Sequence, residues 1–316
     1  MNRGLLAILA SISVSQARAE DFDFDISYDL DVRALNRVFY NPRVKDVSVE
    51  EIDSLRRVSN TFFDDKDSNI DEVFKNVIAV SKYYAEDVDL KKLRTGSIDV
   101  VVNQGPSSLG LVINEEGYVL TNAHILFNDS DPFNEWSGIV VVTPDKKLFE
   151  VTKVLAIDLD HDIALLETEY KSEEFKMNSF KLSENLVIGQ NYQLVGFKIY
   201  SGVELGIIKD EVVLNEEEFN PRDFYTEGIF SKFVNGVSVF NDIYVVRDSI
   251  KFNLYSQKGF SGGVFCDKFG SIYGMLLGSN GNVSTGFRIE YAQKLLDGYI
   301  NHFDIKNLEE VKQEGI

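Results

Sequence analysis

The sequence predicts a mainly β protein: two antiparallel β-barrels, preceded by an extension of strand and helix and followed by one helix. Three observations carry that expectation. From Ile98 onward, short apolar or alternating runs are separated by turn residues, the pattern of antiparallel barrels. A polar bridge from Lys171 to Asn178 splits these runs into two sets. The length of 316 residues and the 44% hydrophobic content suffice to bury one or two cores.

Taken in order, residues 1–19 read as an export signal. Arg3 supplies the basic start, Gly4 to Ala10 the apolar run, and Ala17-Arg18-Ala19 a small-x-small cleavage site before Glu20. That run is too short to span a bilayer, and no other approaches the needed length. The expectation is an exported protein, periplasmic or extracellular, without stable membrane insertion. Loss of Arg3 and Arg18 takes the formal charge from −19 to −21, which argues against nucleic acid or an anionic membrane surface as partner. Cys266 is the only cysteine, so no internal disulfide forms; its apolar run marks a buried small residue rather than a reactive thiol.

Glu20 to Val32 alternates, with Phe22, Phe24, Ile26, Tyr28, Leu30 and Val32 against Asp21, Asp23, Asp25, Asp29 and Asp31. This is a half-buried strand with an acidic outer face; a calcium site is the sharper reading, a solvated face the preferred one. Ser48 with Glu51 forms a capping box for a helix bearing Val49, Ile52, Leu55 and Val58. A second helix is expected from Asn69, with Ile70, Val73, Phe74, Val77 and Ile78 on its apolar side. Residues 20–95 are thus an extension. It is either a pro-region, cut near Lys91-Lys92-Leu93-Arg94, or a buttress that stays, and the buttress is preferred.

The barrel domain is expected over 96–300, its first barrel over about 96–170 and its second over about 179–288. Strands are expected at Asp99–Asn103, Gly110–Asn114, Gly117–Thr121, Gly138–Thr143, Phe149–Ala156 and Ile163–Glu167 in the first set. The second set includes Gln193–Phe197, Leu205–Lys209, Val237–Val246, Gly263–Cys266 and Ser271–Leu277. Leu214 to Val246 includes an exposed acidic loop around Glu216-Glu217-Glu218. A helix near Glu290–Ile300 and a charged tail, 301–316, end the chain, and His302 is expected there as an exposed bystander.

Chemistry concentrates in Lys258-Gly259-Phe260-Ser261-Gly262-Gly263. A serine among glycines places a hydroxyl on a tight turn whose amides can approach a carbonyl. Such a hydroxyl needs a general base and a group to orient that base. His124, at the end of the apolar run Val119-Leu120-Thr121, is the candidate base; Asp162, 38 residues later in Asp162-Ile163-Ala164-Leu165-Leu166, is the orienter. His161 is a poor substitute because its side chain points away from its neighbour's. The order His, Asp, Ser separates this chain from α/β-hydrolases and subtilisins.

These residues resemble the trypsin-like serine proteases of the chymotrypsin fold, and within them the HtrA/Deg-like branch. The resemblance runs from about Ser107 to Leu296. It includes Gly110-Leu111-Val112-Ile113, Gly117 to His124, Asp162 to Leu166, Ile188-Gly189-Gln190, Val195-Gly196-Phe197, Leu205-Gly206-Ile207-Ile208, the serine motif and Gly286-Phe287-Arg288-Ile289. It implies a catalytic triad of His124, Asp162 and Ser261, an oxyanion hole from the amides of Gly259 and Ser261, and peptide or protein substrates. No metal or cofactor is implied, and no PDZ module is expected after the barrels.

Phe260 departs from the resemblance. Digestive members carry an aspartate there that pairs with a freshly cut N-terminus, and HtrA proteins carry asparagine; phenylalanine can do neither. By alignment outward from Ser261, Tyr255 and Ser256 lie near the floor of the substrate pocket, and Leu276, Leu277 and Gly278 along one wall. None is acidic, so cleavage after an uncharged apolar residue is expected. Two functions follow: a serine endopeptidase, or an inactive homologue used for binding, in which Phe260 holds the oxyanion turn shut.

Overall fold

The computed structural model describes residues 38–40, 47–66, 68–84, 100–127, 138–145, 147–171, 175–197, 204–208, 211–213, 225–240, 244–257 and 259–314. Residues 1–19, read as an export signal, the alternating run 20–32, the basic stretch 91–96 and residues 216–218, read as an acidic loop, lie outside the described residues.

Two closed six-stranded antiparallel barrels form the body. In the first, β2 (Val77–Tyr84), β3 (Val100–Val112), β4 (Tyr118–Thr121), β5 (Gly138–Val142), β6 (Leu148–Asp158) and β7 (Ile163–Thr168) close in the order β3-β2-β5-β6-β7-β4 and back to β3. In the second, β8 (Asn191–Val195), β11 (Tyr225–Phe240), β12 (Tyr244–Asn253), β13 (Val264–Cys266), β14 (Ile272–Asn280) and β15 (Val283–Arg288) close as β11-β12-β15-β14-β13-β8. Closure removes the exposed edges that would invite other strands. A short strand, β1 (Val38–Tyr40), pairs with the end of β6.

Two helices precede the barrels. α1 (Val49–Asn60) has the expected capping box: the Ser48 hydroxyl accepts from Glu51 N at 3.2 Å, and Ser48 N donates to the Glu51 carboxylate at 2.6 Å. Its spacing of apolar residues buries Ile52, Leu55 and Val58 and leaves Val49 outside. Phe62, just beyond, stacks on Phe180 at 4.1 Å. α1 also meets the final helix, α4 (Glu290–Glu314), through Arg56 and Asp304 at 3.0 Å. α1 lies in the same hydrophobic core as the barrels.

Five expectations change. The second helix, α2 (Ile70–Asn76), ends before Val77 and Ile78, which open β2. The run Val77-Ile78-Ala79-Val80 is dominated by β-branched residues, which favour a pleated strand over a helix. β2 lies between β3 and β5, so the first barrel begins inside the segment read as an extension, ahead of residue 96. The runs Asp99–Asn103 and Gly110–Asn114 belong to one long strand, β3. Leu205–Lys209, read with the second set, instead forms β9 (Glu204–Ile208), which with β10 (Glu211–Val213) adds to the Val100–Asn103 edge of β3. Finally, α4 runs through the tail to Glu314, because no glycine or proline interrupts Ile300 to Glu314.

β11 and β12 form a long hairpin. Its base pairs with β8 and β15, while among the described residues Val237–Phe240 and Tyr244–Arg247 pair only with each other, so the run 237–246, read as one strand, is divided between the two arms of the hairpin. Among the described residues no helix is long and apolar enough to cross a membrane.

Candidate active site

The first barrel supplies His124 and Asp162. β4 ends at Thr121, and a turn of small residues leads into α3 (His124–Phe127). That turn is held by the Asp162 backbone: its carbonyl accepts from Ala123 N at 3.1 Å and from the Asn122 side-chain amide at 3.3 Å. The Asp162 carboxylate then takes His124 twice. Oδ1 accepts from the His124 backbone N–H and Oδ2 faces Nδ1, each at 2.7 Å. Both side chains are sheltered, at 16% and 5% exposure. A nearly dry carboxylate at this distance fixes the imidazole with its proton on Nδ1 and makes Nε2 the basic nitrogen.

Asp162 reaches this position from a backbone φ of 59°. Aspartate is among the few residues that tolerate the left-handed region, and such conformations persist where the surroundings over-determine them.

Ser261 comes from the second barrel, on the turn before β13. Gly262 has φ 85°, and a Cβ there would lie 1.8 Å from the Leu109 carbonyl oxygen, so only glycine allows β3 to approach. The approach is used: the Ser261 carbonyl accepts from Leu109 N at 2.5 Å and from the Ser108 hydroxyl at 2.6 Å. The Leu109 carbonyl in turn accepts from Thr121 Oγ1 at 2.7 Å. A short chain of bonds therefore runs from the serine's own peptide to the residue three before His124.

The amides of the turn divide in two. Phe260 N donates to Gln257 O at 3.2 Å, Gly262 N to Leu276 O at 2.7 Å and Gly263 N to Phe260 O at 2.8 Å. Among the described residues no acceptor is bonded to the amides of Gly259 or Ser261. Gly259 has φ 93°, available to glycine at little steric cost. Phe260 does not cover the turn. Its side chain is buried at 2% exposure, with its ring edge against Gly196. The position that elsewhere holds a polar residue is here part of the core.

Of the residues read as substrate pocket, Leu276 and Leu277 touch the serine turn. The Ser261 hydroxyl donates to Leu277 O at 3.0 Å, and Leu276 O holds Gly262. Leu276 and Leu277 are buried at 1% and 2%, so they offer their backbone to the site and their side chains to the core. Gly278 sits at a bulge in the β14–β15 pairing. Ser256 is buried, with its hydroxyl 3.1 Å from that of Ser284, while Tyr255 is 48% exposed. Ser279 donates to Ser256 O at 3.4 Å, which brings the 255–256 segment beside the end of β14. No acidic side chain is among them.

His161 is not brought to His124; its Nδ1 lies 2.6 Å from Asp158 Oδ2. Ser108, Leu109 and Thr121 were not singled out as site residues. Leu109 acts through its backbone, and Ser108 and Thr121 through the hydroxyls of ordinary strand residues, so residue type carries no signal for them. Cys266 is buried, and burial pushes its thiol above the usual range, with Asp267 adding to the effect. A cavity of about 810 Å³ lies elsewhere, lined by Lys75, Thr143, Lys147, Tyr170, Phe175 and Lys176 among others, and no candidate site residue lines it. Among the described residues no cluster of three metal-ligating side chains occurs.

None of the curated proteins matches the sequence. The profile of the trypsin-like peptidase domain matches residues 109–275, more than half of the chain and a span that takes in His124, Asp162 and Ser261; with two closed antiparallel barrels, the chain belongs to the trypsin-like peptidase family.

Proposed function

We propose that the chain is a serine endopeptidase of the HtrA/Deg-like branch, exported and acting on peptide bonds with His124, Asp162 and Ser261 as its triad. One observation carries the reading: the Asp162 carboxylate holds His124 at 2.7 Å in a sheltered pocket. The uncommitted amides of Gly259 and Ser261 support it.

The reaction follows from these groups. Ser261 Oγ turns its proton from Leu277 O to His124 Nε2 and forms a bond to the substrate carbonyl carbon, while Nε2 takes the proton. The imidazolium is stabilised by Asp162, which stays ionised. Negative charge moves onto the carbonyl oxygen, where the amides of Gly259 and Ser261 donate to it; one such donor is worth about 10²–10³ in turnover. The C–N bond then breaks, Nε2 returns its proton to the leaving amine, and water releases the acyl group by the same route in reverse. No metal or cofactor enters.

A pocket bounded by Tyr255, Ser256 and the backbone of Leu276, Leu277 and Gly278 favours an uncharged apolar residue at the cleaved position. Retention of the N-terminal extension accompanies this reading: removal up to residue 95 would take β2 out of the first barrel. An unfolded protein substrate, digested by the full chain and by Ser261→Ala, tests the activity, and the cut sites give the preference. Digestion by the native chain alone, after apolar residues, is expected. Equal digestion by both removes the peptidase reading, and cuts confined to Lys and Arg remove the pocket.

A further inference from the structure

The turn that carries Asp162 is fastened by a second histidine–aspartate pair, which the reaction above does not use. Asp158, the last residue of β6, takes three bonds. Its Oδ1 accepts from Asp160 N at 2.9 Å and from His161 N at 3.1 Å, and its Oδ2 lies 2.6 Å from His161 Nδ1. The pair is sheltered, with His161 at 17% and Asp158 at 8% side-chain exposure.

The outer face of this turn meets the second barrel's side of the molecule. The His161 ring stacks on Tyr291 with centroids 3.6 Å apart and planes 20° from parallel. Tyr291, the second residue of α4, donates its hydroxyl to Asp248 of β12 at 3.2 Å. Burial and the Asp248 carboxylate push the phenol up to about 12, so it is a neutral donor at neutral pH. Residues 159–162 form a turn rather than extended backbone. Within it His161 is anchored on Tyr291 of α4, while Asp162, at φ 59°, faces His124.

We propose that Asp158, His161 and Tyr291 form a clamp that sets the Asp162 carboxylate on His124. They are positioning residues, since none touches a reacting atom. The clamp joins the orienting aspartate to the second barrel's helix, so that the half-site of the first barrel is referenced to the barrel that supplies the nucleophile. The kinetic part of its test rests on the peptidase reading; the spectroscopic part does not.

The test uses the full chain with four substitutions. His161→Ala loses both the bond and the stack, His161→Phe keeps the stack alone, Asp158→Ala strands two amides, and Asp158→Asn keeps an oxygen to accept them. His161→Ala and Asp158→Ala are expected to lower kcat about 10- to 100-fold with KM within about twofold, the size of effect a misplacement near 1 Å produces. His161→Phe falls between them and the native chain, and Asp158→Asn restores kcat to within a few fold. In proton NMR, the downfield signal of the carboxylate-bonded His124 Nδ1–H, assigned by its loss in His124→Gln, should broaden in both alanine variants. Folded alanine variants with a lower melting temperature but native kcat and an unaltered His124 signal would overturn the clamp. A broadened signal in a chain that never hydrolyses a peptide would uphold the clamp and sink the peptidase reading instead.

Discussion

The two barrels share an architecture but hold their site residues in different ways. In the first, His124 and Asp162 are bound directly to each other, side chain to side chain and side chain to backbone, inside one set of strands. In the second, Ser261 is placed by its peptide: its carbonyl is tied across to Leu109 and Ser108, and the following amide is tied to Leu276. The His124–Asp162 pair is thus a property of one barrel alone. The placement of Ser261 is a property of the contact between barrels, made by the Leu109 amide and the Ser108 hydroxyl.

Substitutions separate the two kinds of placement. The largest effects are expected from the side chains themselves. His124→Ala or Ser261→Ala should lower kcat by at least about 10⁴-fold, and Asp162→Asn by about 10³–10⁴, in steady-state assays with the fold intact by circular dichroism. Comparable activity in Asp162→Asn would mean that the direct pair in the first barrel is not what orients the base.

Gly262→Ala is next, and it attacks the contact between barrels. The added methyl meets the Leu109 carbonyl at 1.8 Å in a backbone conformation of φ 85°. A loss of more than about 2 kcal/mol in denaturant unfolding is expected, along with severe loss of activity while the His124–Asp162 pair persists. Thr121→Val is milder. It keeps shape but removes the donor to Leu109 O, so about 1 kcal/mol of stability and a several-fold drop in kcat are expected. Native kcat in Thr121→Val would show that the bonded route from Thr121 to the serine does not position the site. Ser48→Ala marks the lower limit: it breaks the cap of α1, far from the chemistry, and should cost about 1 kcal/mol with kcat unchanged.

The difference between the barrels also governs what the sequence made legible. Side chains that do chemistry are distinctive types in distinctive surroundings, so His124, Asp162 and Ser261 stand out from the order and texture of three short motifs. The glycines around Ser261 announced a tight turn, and the structure gives Gly262 the reason: the backbone of Leu109 occupies the space a side chain would need. Backbone contacts leave no such mark. Nothing in Ser108-Leu109 tells that its groups hold the serine's carbonyl, because any residue presents the Leu109 N–H and a serine such as Ser108 is commonplace in a strand.

The same limit explains β2. Val77 to Val80 fits both the apolar face of a helix and a buried strand; its β-branched residues lean to the strand, and closing the ring between β3 and β5 settles it. Pairing across long separations placed β9 against β3 for a similar reason: an open strand edge takes a partner that local pattern cannot name. Phe260 is the opposite case. The sequence marked it as unusual, and the structure buries its ring in the core against Gly196.

The most direct test of the account is the rate at which a fluorophosphonate labels the native chain and its His124→Ala variant, with the modified residue located by peptide mass spectrometry. The account predicts rapid labelling confined to Ser261 in the native chain and a rate lower by about 10³-fold or more in the variant. Equal rates in the two, or label on any residue other than Ser261, would contradict it.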